Sequence, residues 1–360
     1  MKYGVMVYHV EKYLKNYHFR NIGDYIQSKA CYAFLSPDTF VDREELNQYT
    51  GEPLKMIMNG WYMHNPNSWP PSEMIDPLYV AFHITKGCKD LILSPNGVEY
   101  LRKHDPIGCR DRTTLSYLQE KGVSSYFSGC LTLTLGLQYQ HQSGSSSIYF
   151  VDPYLSRRPL LRNVFGLVHA IMKKYSVISS ISQKMRLNNC QYRWGRKSFS
   201  SLRMLIHAAL FYKVYSPGFD DDVLLHAEYI THNILPDDFM DDEDIFRYTD
   251  LLLRKYASAS LVITSRLHCA LPCLAMGTPC IFISEESLKS DGRFDGLHDL
   301  LFSINYLSHL GEIDNTCIHN LFHGKITEDT VIPVPEKHRD IRNGLIKTCR
   351  EFVNNSPHSK

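Results

Sequence analysis

Ser265, Arg266, Leu267 and His268 follow a β-branched run, Leu261–Thr264, and precede a small, apolar stretch that ends at Gly277. A guanidinium and an imidazole two residues apart at a helix start supply forked cationic donors and a proton carrier. The helix start adds unpaired backbone N–H groups and the positive end of its dipole. Together these groups bind an anion and can protonate an atom beside it. The competing account makes Arg266 a surface residue and His268 a satisfied core histidine. Asn21, Gly23 and Asp24 form a second set, a carboxylate among small turn residues ahead of an apolar-periodic segment. In a third set, Asn59, Gly60 and Trp61, the glycine permits close backbone approach to a ligand. Trp61 and Tyr62 there offer a flat wall for a sugar face, with core burial as the alternative. In the fourth, Arg110-Asp111-Arg112, Asp111 reads as the acidic complement of a helix dipole. Its two arginines are either ion-pair partners or donors facing a cleft.

Such residues need strand ends to hold them. Leu261–Thr264 reads as a strand and the stretch that follows as a helix closed by Gly277 in the left-handed conformation. Thr278-Pro279 then leads into a second apolar run ending at Ile283. This βαβ geometry puts Arg266 and His268 at the carboxyl edge of a sheet, where open α/β sheets bind ligands. Upstream, residues 3–10, 55–58, 79–84, 106–109 and 126–130 read as strands. Residues 25–35, 97–104 and 113–121 read as helices. Asp24 is placed at the cap of the first helix, with ligand contact as its other role. The alternation predicts doubly wound, mainly parallel sheets.

With 360 residues the chain exceeds what one core usually serves. The run Gln138 to Ser147, carrying Gln-Ser-Gly-Ser-Ser-Ser, reads as a linker. The expected division is a first domain over 1–140, a second over 141–330, and a C-terminal helix and tail over 331–360. A basic helical insert is expected at about 156–215 of the second domain. Between Asp152 and Asp220 there is no acidic residue. That interval holds Arg157, Arg158, Arg162, Lys173, Lys174, Lys184, Arg186, Arg193, Arg196, Lys197, Arg203 and Lys213. Acidic runs follow at 220–222 and 237–244. Either the two halves neutralise one another as a solvated face, or the segment docks on an anionic membrane or a diphosphate-linked acceptor.

The 44% hydrophobic and 21% charged composition is that of a globular chain, and a net charge of +1 gives no overall pull toward nucleic acid. The ten cysteines sit largely in apolar runs without a Cys-x-x-Cys pair, so buried reduced thiols are expected, and no metal. Residues 1–10 read as a strand and lack the pattern of a signal peptide. No stretch approaches the roughly 18 apolar residues of a membrane span. A cytoplasmic protein is expected, at the inner face of the membrane if the basic segment docks there.

The Ser265-Arg-Leu-His268 motif, with its apolar helix and Gly277-Thr-Pro279, resembles the signature of the polysaccharide pyruvyl transferase family. Asn21-Ile-Gly-Asp-Tyr-Ile-Gln-Ser28, Met58-Asn-Gly-Trp-Tyr62, Gly108-Cys-Arg-Asp-Arg-Thr-Thr114 and Arg293-Phe-Asp-Gly-Leu297 strengthen the likeness through their order and spacing. It covers most of the chain, to about residue 300. The resemblance implies two doubly wound, Rossmann-like domains facing a cleft, the glycosyltransferase B-like architecture. It also implies transfer of pyruvate from phosphoenolpyruvate onto two hydroxyls of a sugar as a cyclic ketal, in capsular or exopolysaccharide biosynthesis. On that reading Arg266, Leu267, Ser265, Arg110 and Arg112 bind the donor, and His268 is the proton donor. Asp24 acts as base toward an acceptor held by Asn21, Gly23, Asn59, Gly60 and Trp61. The family's further mid-chain arginine has Arg157, Arg158 and Arg162 as candidates. Phosphoenolpyruvate is a substrate, and neither a cofactor nor a metal is required. The acceptor is a sugar, with a lipid-diphosphate-linked oligosaccharide as one form. Two alternatives stay open: a nucleotide-sugar glycosyltransferase with Glu285 or Glu286 at the ribose, and a catalytically silent binding protein.

Overall fold

The computed structural model describes residues 2–14, 18–144, 146–156, 164–188, 190, 200–285 and 292–354. The first half contributes strands β1 (Lys2–Val7), β2 (Arg20–Asn21), β3 (Thr39–Asp42), β4 (Leu54–Tyr62), β5 (Ile75–Ile84), β6 (Ile107–Cys109) and β7 (Ser125–Phe127). The second contributes β8 (Ile148–Val151), β9 (Glu228–Ile230), β10 (Asn233–Ile234), β11 (Leu261–Thr264), β12 (Cys280–Glu285), β13 (Ser303–Leu307) and β14 (Glu312–Ile313). The first sheet has the order β3-β1-β4-β5-β6-β7 and is parallel throughout. The second has the order β9-β8-β11-β12-β13-β14, parallel except for its last pair. Both orders reverse at the same place, between β1 and β4 and between β8 and β11. Ligand sites form where strand order reverses, and each half has such a point. The architecture is α/β, two doubly wound, Rossmann-like sheets in the glycosyltransferase B-like arrangement.

Central strands such as Leu261–Thr264 are buried along their whole length, as parallel strands covered on both faces must be. Alternation along the second sheet divides its side chains between two cores. Tyr149, Val151, Val262 and Phe282 join a hydrophobic cluster continuous with the first sheet. Ile148, Phe150, Ile263 and Ile281 face the opposite way, onto the basic helices. Among the described residues these are three, Val164–Lys173, Tyr175–Leu187 and Ser201–Tyr215, within the expected basic helical insert. The helix Arg339–Asn354 returns to the first sheet, where Lys55 Nζ donates to the carbonyl of Phe352 at 2.9 Å.

The halves are joined at the cleft. Strands β2 and β10 pair antiparallel, Asn21 opposite Asn233, and Ile22 N donates to the His232 carbonyl at 2.8 Å. His9 bridges two carboxylates, Nδ1 to Asp42 Oδ2 and Nε2 to Asp242 Oδ2, each at 2.9 Å. Asp242 opens the helix Asp242–Ser258 and also accepts from Tyr25 Oη at 2.8 Å.

Three local readings change. The first helix is Ile22–Cys31, and its N-cap is Asn21, whose side chain accepts from Gly23 N at 3.2 Å. Asp24 therefore sits inside the first turn, buried, and is not the cap. Strand β4 does not stop at Met58; a register shift between Met58 and Gly60, with Gly60 at φ +97°, carries it on through Tyr62. Tyr62 is fully buried against Phe82 and Trp69, so it belongs to the core and offers no wall to a sugar. All ten cysteines are free, nine of them buried. Among the described residues no helix is long and apolar enough to cross a membrane.

Candidate active site

The helix Leu267–Met276 is built to leave its first turn open. Its N-cap, Arg266, makes no side-chain cap hydrogen bond, whereas Asn21, Asp111 and Asp241 cap the starts of their own helices. The N–H groups of Leu267 and His268, at the first helical positions, have no intrahelical acceptor. Pro272 stands four residues beyond His268, where it lacks the N–H that would meet the His268 carbonyl and its ring crowds that oxygen. His268 accordingly leaves helical geometry (φ −81°, ψ 16°). Gly277, left-handed at φ +86°, closes the helix as its sequence position foretold.

The turn before this helix is tied to the end of β8. Thr264 Oγ1 donates to the Val151 carbonyl at 2.7 Å, and Ser265 Oγ to the Asp152 carbonyl at 2.6 Å. Arg266 donates from Nε to Asp152 Oδ2 at 2.8 Å and from an Nη to Asn233 Oδ1 at 3.3 Å. Burial works to raise the Asp152 pKa, but Arg266, His232 and the hydrogen bonds from His232 N–H and Thr231 hold it below the ordinary carboxylate value. Part of the Arg266 fork is therefore committed within the protein, and the rest borders the cleft. Ser265 serves this turn through its hydroxyl.

The opposite wall is the start of the helix Ile22–Cys31. Gly23 lies so close to the other half that a Cβ there would stand 3.2 Å from His268 Cβ and 3.1 Å from Asn21 Oδ1. The glycine thus lets two helix N-termini face each other across the cleft. Asp24, accepting from Gln27 Nε2 at 3.2 Å, is buried, and burial raises its pKa while Arg43 and Arg110 oppose the rise. Trp61 lines the cleft with its ring held from behind by Arg43, whose guanidinium carbon is 4.3 Å from the ring centroid. Arg43 is itself fixed by Glu44, Nε to Oε1 at 2.7 Å.

The resulting cavity, about 150 Å³, takes Asn21, Gly23, Asp24, Trp61 and Arg110 from the first half. From the second it takes His232, Ser265, Arg266, Leu267, His268, Arg293 and Phe294. Arg110 is 2% exposed, and among the described residues the nearest carboxylate oxygen, on Asp111, is 3.8 Å from its Nε, beyond hydrogen-bond reach. A buried guanidinium held this way favours an incoming anion. His268 is half-buried with its ring nitrogen Nε2 turned away from solvent, and desolvation, then Arg110, His232, Arg266 and His83, push its pKa well below 6.5. Among the described residues its Nε2 has no partner. The ligand-free imidazole is neutral.

Several sequence-level candidates lie elsewhere. Arg112 is exposed and set against Phe127, 5.5 Å from guanidinium carbon to ring centroid, away from the cleft lining. Asn59 is buried, donating from Nδ2 to the Gln27 carbonyl at 2.9 Å, and Gly60 faces the Gln27 side chain. The bulge in β4 turns both toward the helix Ile22–Cys31, so of that trio the lining includes only Trp61. Arg157, Arg158, Arg162, Arg193, Arg196, Lys197 and Glu286 fall outside the described residues. Glu285 is buried and accepts from Ser308 Oγ at 2.7 Å. Asp152 and His232 escape a reading by local motif, Asp152 lying 114 residues before its partner Arg266; Arg293 opens a segment that the family likeness includes, without a role of its own assigned there. His319 and His323 stand four apart, yet among the described residues no group of three or more His, Cys, Asp or Glu is arranged to hold a metal ion.

Comparison with curated proteins gives no match. A family model, polysaccharide pyruvyl transferase, matches residues 15–287, a span that contains both helix N-termini of the cleft, the buried Arg110 and the Ser265-Arg-Leu-His268 turn. The chain belongs to the polysaccharide pyruvyl transferase family.

Proposed function

We propose that the cleft moves pyruvate from phosphoenolpyruvate onto two hydroxyls of one sugar, releasing inorganic phosphate. The observation that carries this reading is the uncapped N-terminus of the helix Leu267–Met276 facing the buried guanidinium of Arg110. The donor brings a carboxylate and a phosphate, and these cations and N–H groups suit it. Arg266 offers the donors left free by Asp152, and Arg293 adds a cation at the rim.

The chemistry asks for one proton on the donor's methylene carbon, which makes a methyl group and an oxocarbenium-like neighbour. A sugar hydroxyl adds there, phosphate leaves, and the second hydroxyl closes the ring. Of the two hydroxyl protons, one balances the methyl group and the other departs with phosphate. His268 is assigned the proton delivery: neutral when the cleft is empty, it gains a proton when a multiply charged anion arrives beside it. Asp24, with its raised pKa, is assigned as base toward the sugar hydroxyl, and Trp61 as the plate under the sugar ring. No step of this scheme calls on a resident cofactor or metal.

The acceptor is assigned to a lipid-diphosphate-linked sugar presented at an anionic membrane. The support is the basic segment, whose helices expose Met172 (71%) and Leu187 (73%) next to Lys173 and Arg186. The polysaccharide served is on this reading capsular or exopolysaccharide.

The test is phosphate release from phosphoenolpyruvate by the purified protein with a panel of sugar acceptors, and mass analysis of the acceptor. Gain of one pyruvyl ketal supports the proposal. Release of a nucleoside diphosphate from a nucleotide sugar, without ketal, overturns it.

A further inference from the structure

We propose that His83 is a positioning residue that keeps Asp111 from capturing Arg110, and so leaves that guanidinium for the donor's anion. The proposal rests on the reading of Arg110 as an anion anchor. His83 lies on β5 in register with Trp61 of β4, one layer behind the cleft. It is 3% exposed, and its Nδ1 is 2.5 Å from Asp111 Oδ2. Asp111, fully buried, is held below the ordinary carboxylate pKa: burial opposes this, and the hydrogen bond from His83, the charge of Arg110 and the Thr114 N–H outweigh it. An ionised carboxylate only accepts, so Nδ1 carries the proton and donates it. The other oxygen, Oδ1, accepts from Thr114 N at 2.8 Å and caps the helix Arg112–Glu120. Both oxygens of Asp111 thus have donors that are not Arg110.

The guanidinium waits close by. Arg110 N donates to the Phe82 carbonyl at 2.9 Å, which fixes its backbone beside His83, and its Nε is 3.8 Å from Asp111 Oδ2, with no hydrogen-bond partner among the described residues. An arginine and a carboxylate left to themselves close to about 2.8 Å and pair through the fork. Only about an ångström separates the present arrangement from that one. With the His83 N–H gone, Oδ2 opens to Arg110, which then turns its charge inward. His83 itself adds no competing charge, because burial, with Arg110 next, lowers its pKa to about 4.

The experiment measures dissociation constants for phosphoenolpyruvate and for inorganic phosphate by calorimetry, with melting curves to confirm folding. His83→Ala is expected to weaken both by a factor of about ten or more, and to raise the donor KM more than it lowers kcat. His83→Asn, which returns an N–H at the Nδ1 position, is expected to bind within about threefold of wild type. Asp111→Asn keeps the helix cap but loses the charge that competes for Arg110; it is expected to bind at least as tightly as wild type, alone or with His83→Ala. A folded His83→Ala that binds like wild type overturns the proposal, as does a His83→Asn no better than His83→Ala. If His83→Ala does not fold, weakened binding in Asp111→Asn overturns it. Wild-type protein that binds phosphate but not phosphoenolpyruvate overturns the donor assignment and leaves the phosphate comparison to decide on His83; wild type that binds neither overturns both.

Discussion

Arg266 and Asp152, 114 residues apart, join the turn after β11 to the end of β8 through one bond, Nε to Oδ2 at 2.8 Å. The pair fixes the guanidinium at the switch point of the second sheet. Arg266→Lys keeps the charge and loses the fork, so the donor KM should rise about tenfold or more. An unchanged KM would rule out bidentate recognition. Asp152→Asn should cost roughly 2 kcal/mol of stability, because Arg266 is partly exposed and only in part left uncompensated. It should also loosen donor binding, as read by melting curves and calorimetry.

His268 is neutral in the empty cleft, and a donor that charges it must take a proton from solvent. Binding of phosphoenolpyruvate should therefore show a heat that varies with the ionisation enthalpy of the buffer. In His268→Gln this variation should shrink, and kcat should fall by roughly 10²- to 10⁴-fold while donor affinity changes little. Phosphate release near the wild-type rate would remove His268 from the mechanism.

His9 couples pH to the joint between the halves. Hydrogen bonds to Asp242 and then Asp42 raise its pKa from 6.5 to about 9, with burial acting the other way. A raised folded pKa gives stability that is fully present below 6.5 and is lost as pH rises through about 9. His9→Gln should therefore melt below wild type at pH 6, by on the order of 2 kcal/mol. The two proteins should converge by about pH 10. A gap that stays constant across this range would mean that His9 acts by packing alone.

The basic helices should bring the protein to anionic vesicles. Co-sedimentation with phosphatidylglycerol vesicles is expected at low salt and should weaken at physiological salt. Lys173→Glu with Arg186→Glu should abolish it without changing phosphate release to a water-soluble acceptor. No sedimentation at either salt concentration would leave the segment as a solvated face.

Much of this molecule was legible in its sequence because the decisive signals are local. The β-branched run before Ser265, the glycine at 277 and the alternation of strand and helix each depend on neighbours a few residues away. They fixed the fold class, the turn that carries Arg266 and His268, and the glycine at position 23. Only the tertiary structure decided which groups meet there. Asp152 and His232 carry no local mark, and Arg293 only that of its segment; His232 and Arg293 line the cleft, and Asp152 stands behind Arg266, because two sheets with the same winding bring their reversal points together. Asn59 and Gly60 looked equal to Trp61 until the bulge in β4 turned them toward Gln27, since a shift of one residue changes the face a strand side chain occupies. Arg110 and Arg112, alike in sequence, part because one ends a strand inside the cleft and the other begins a helix at the surface. Local chemistry set what each residue offers, and long-range packing set which offers face the same space.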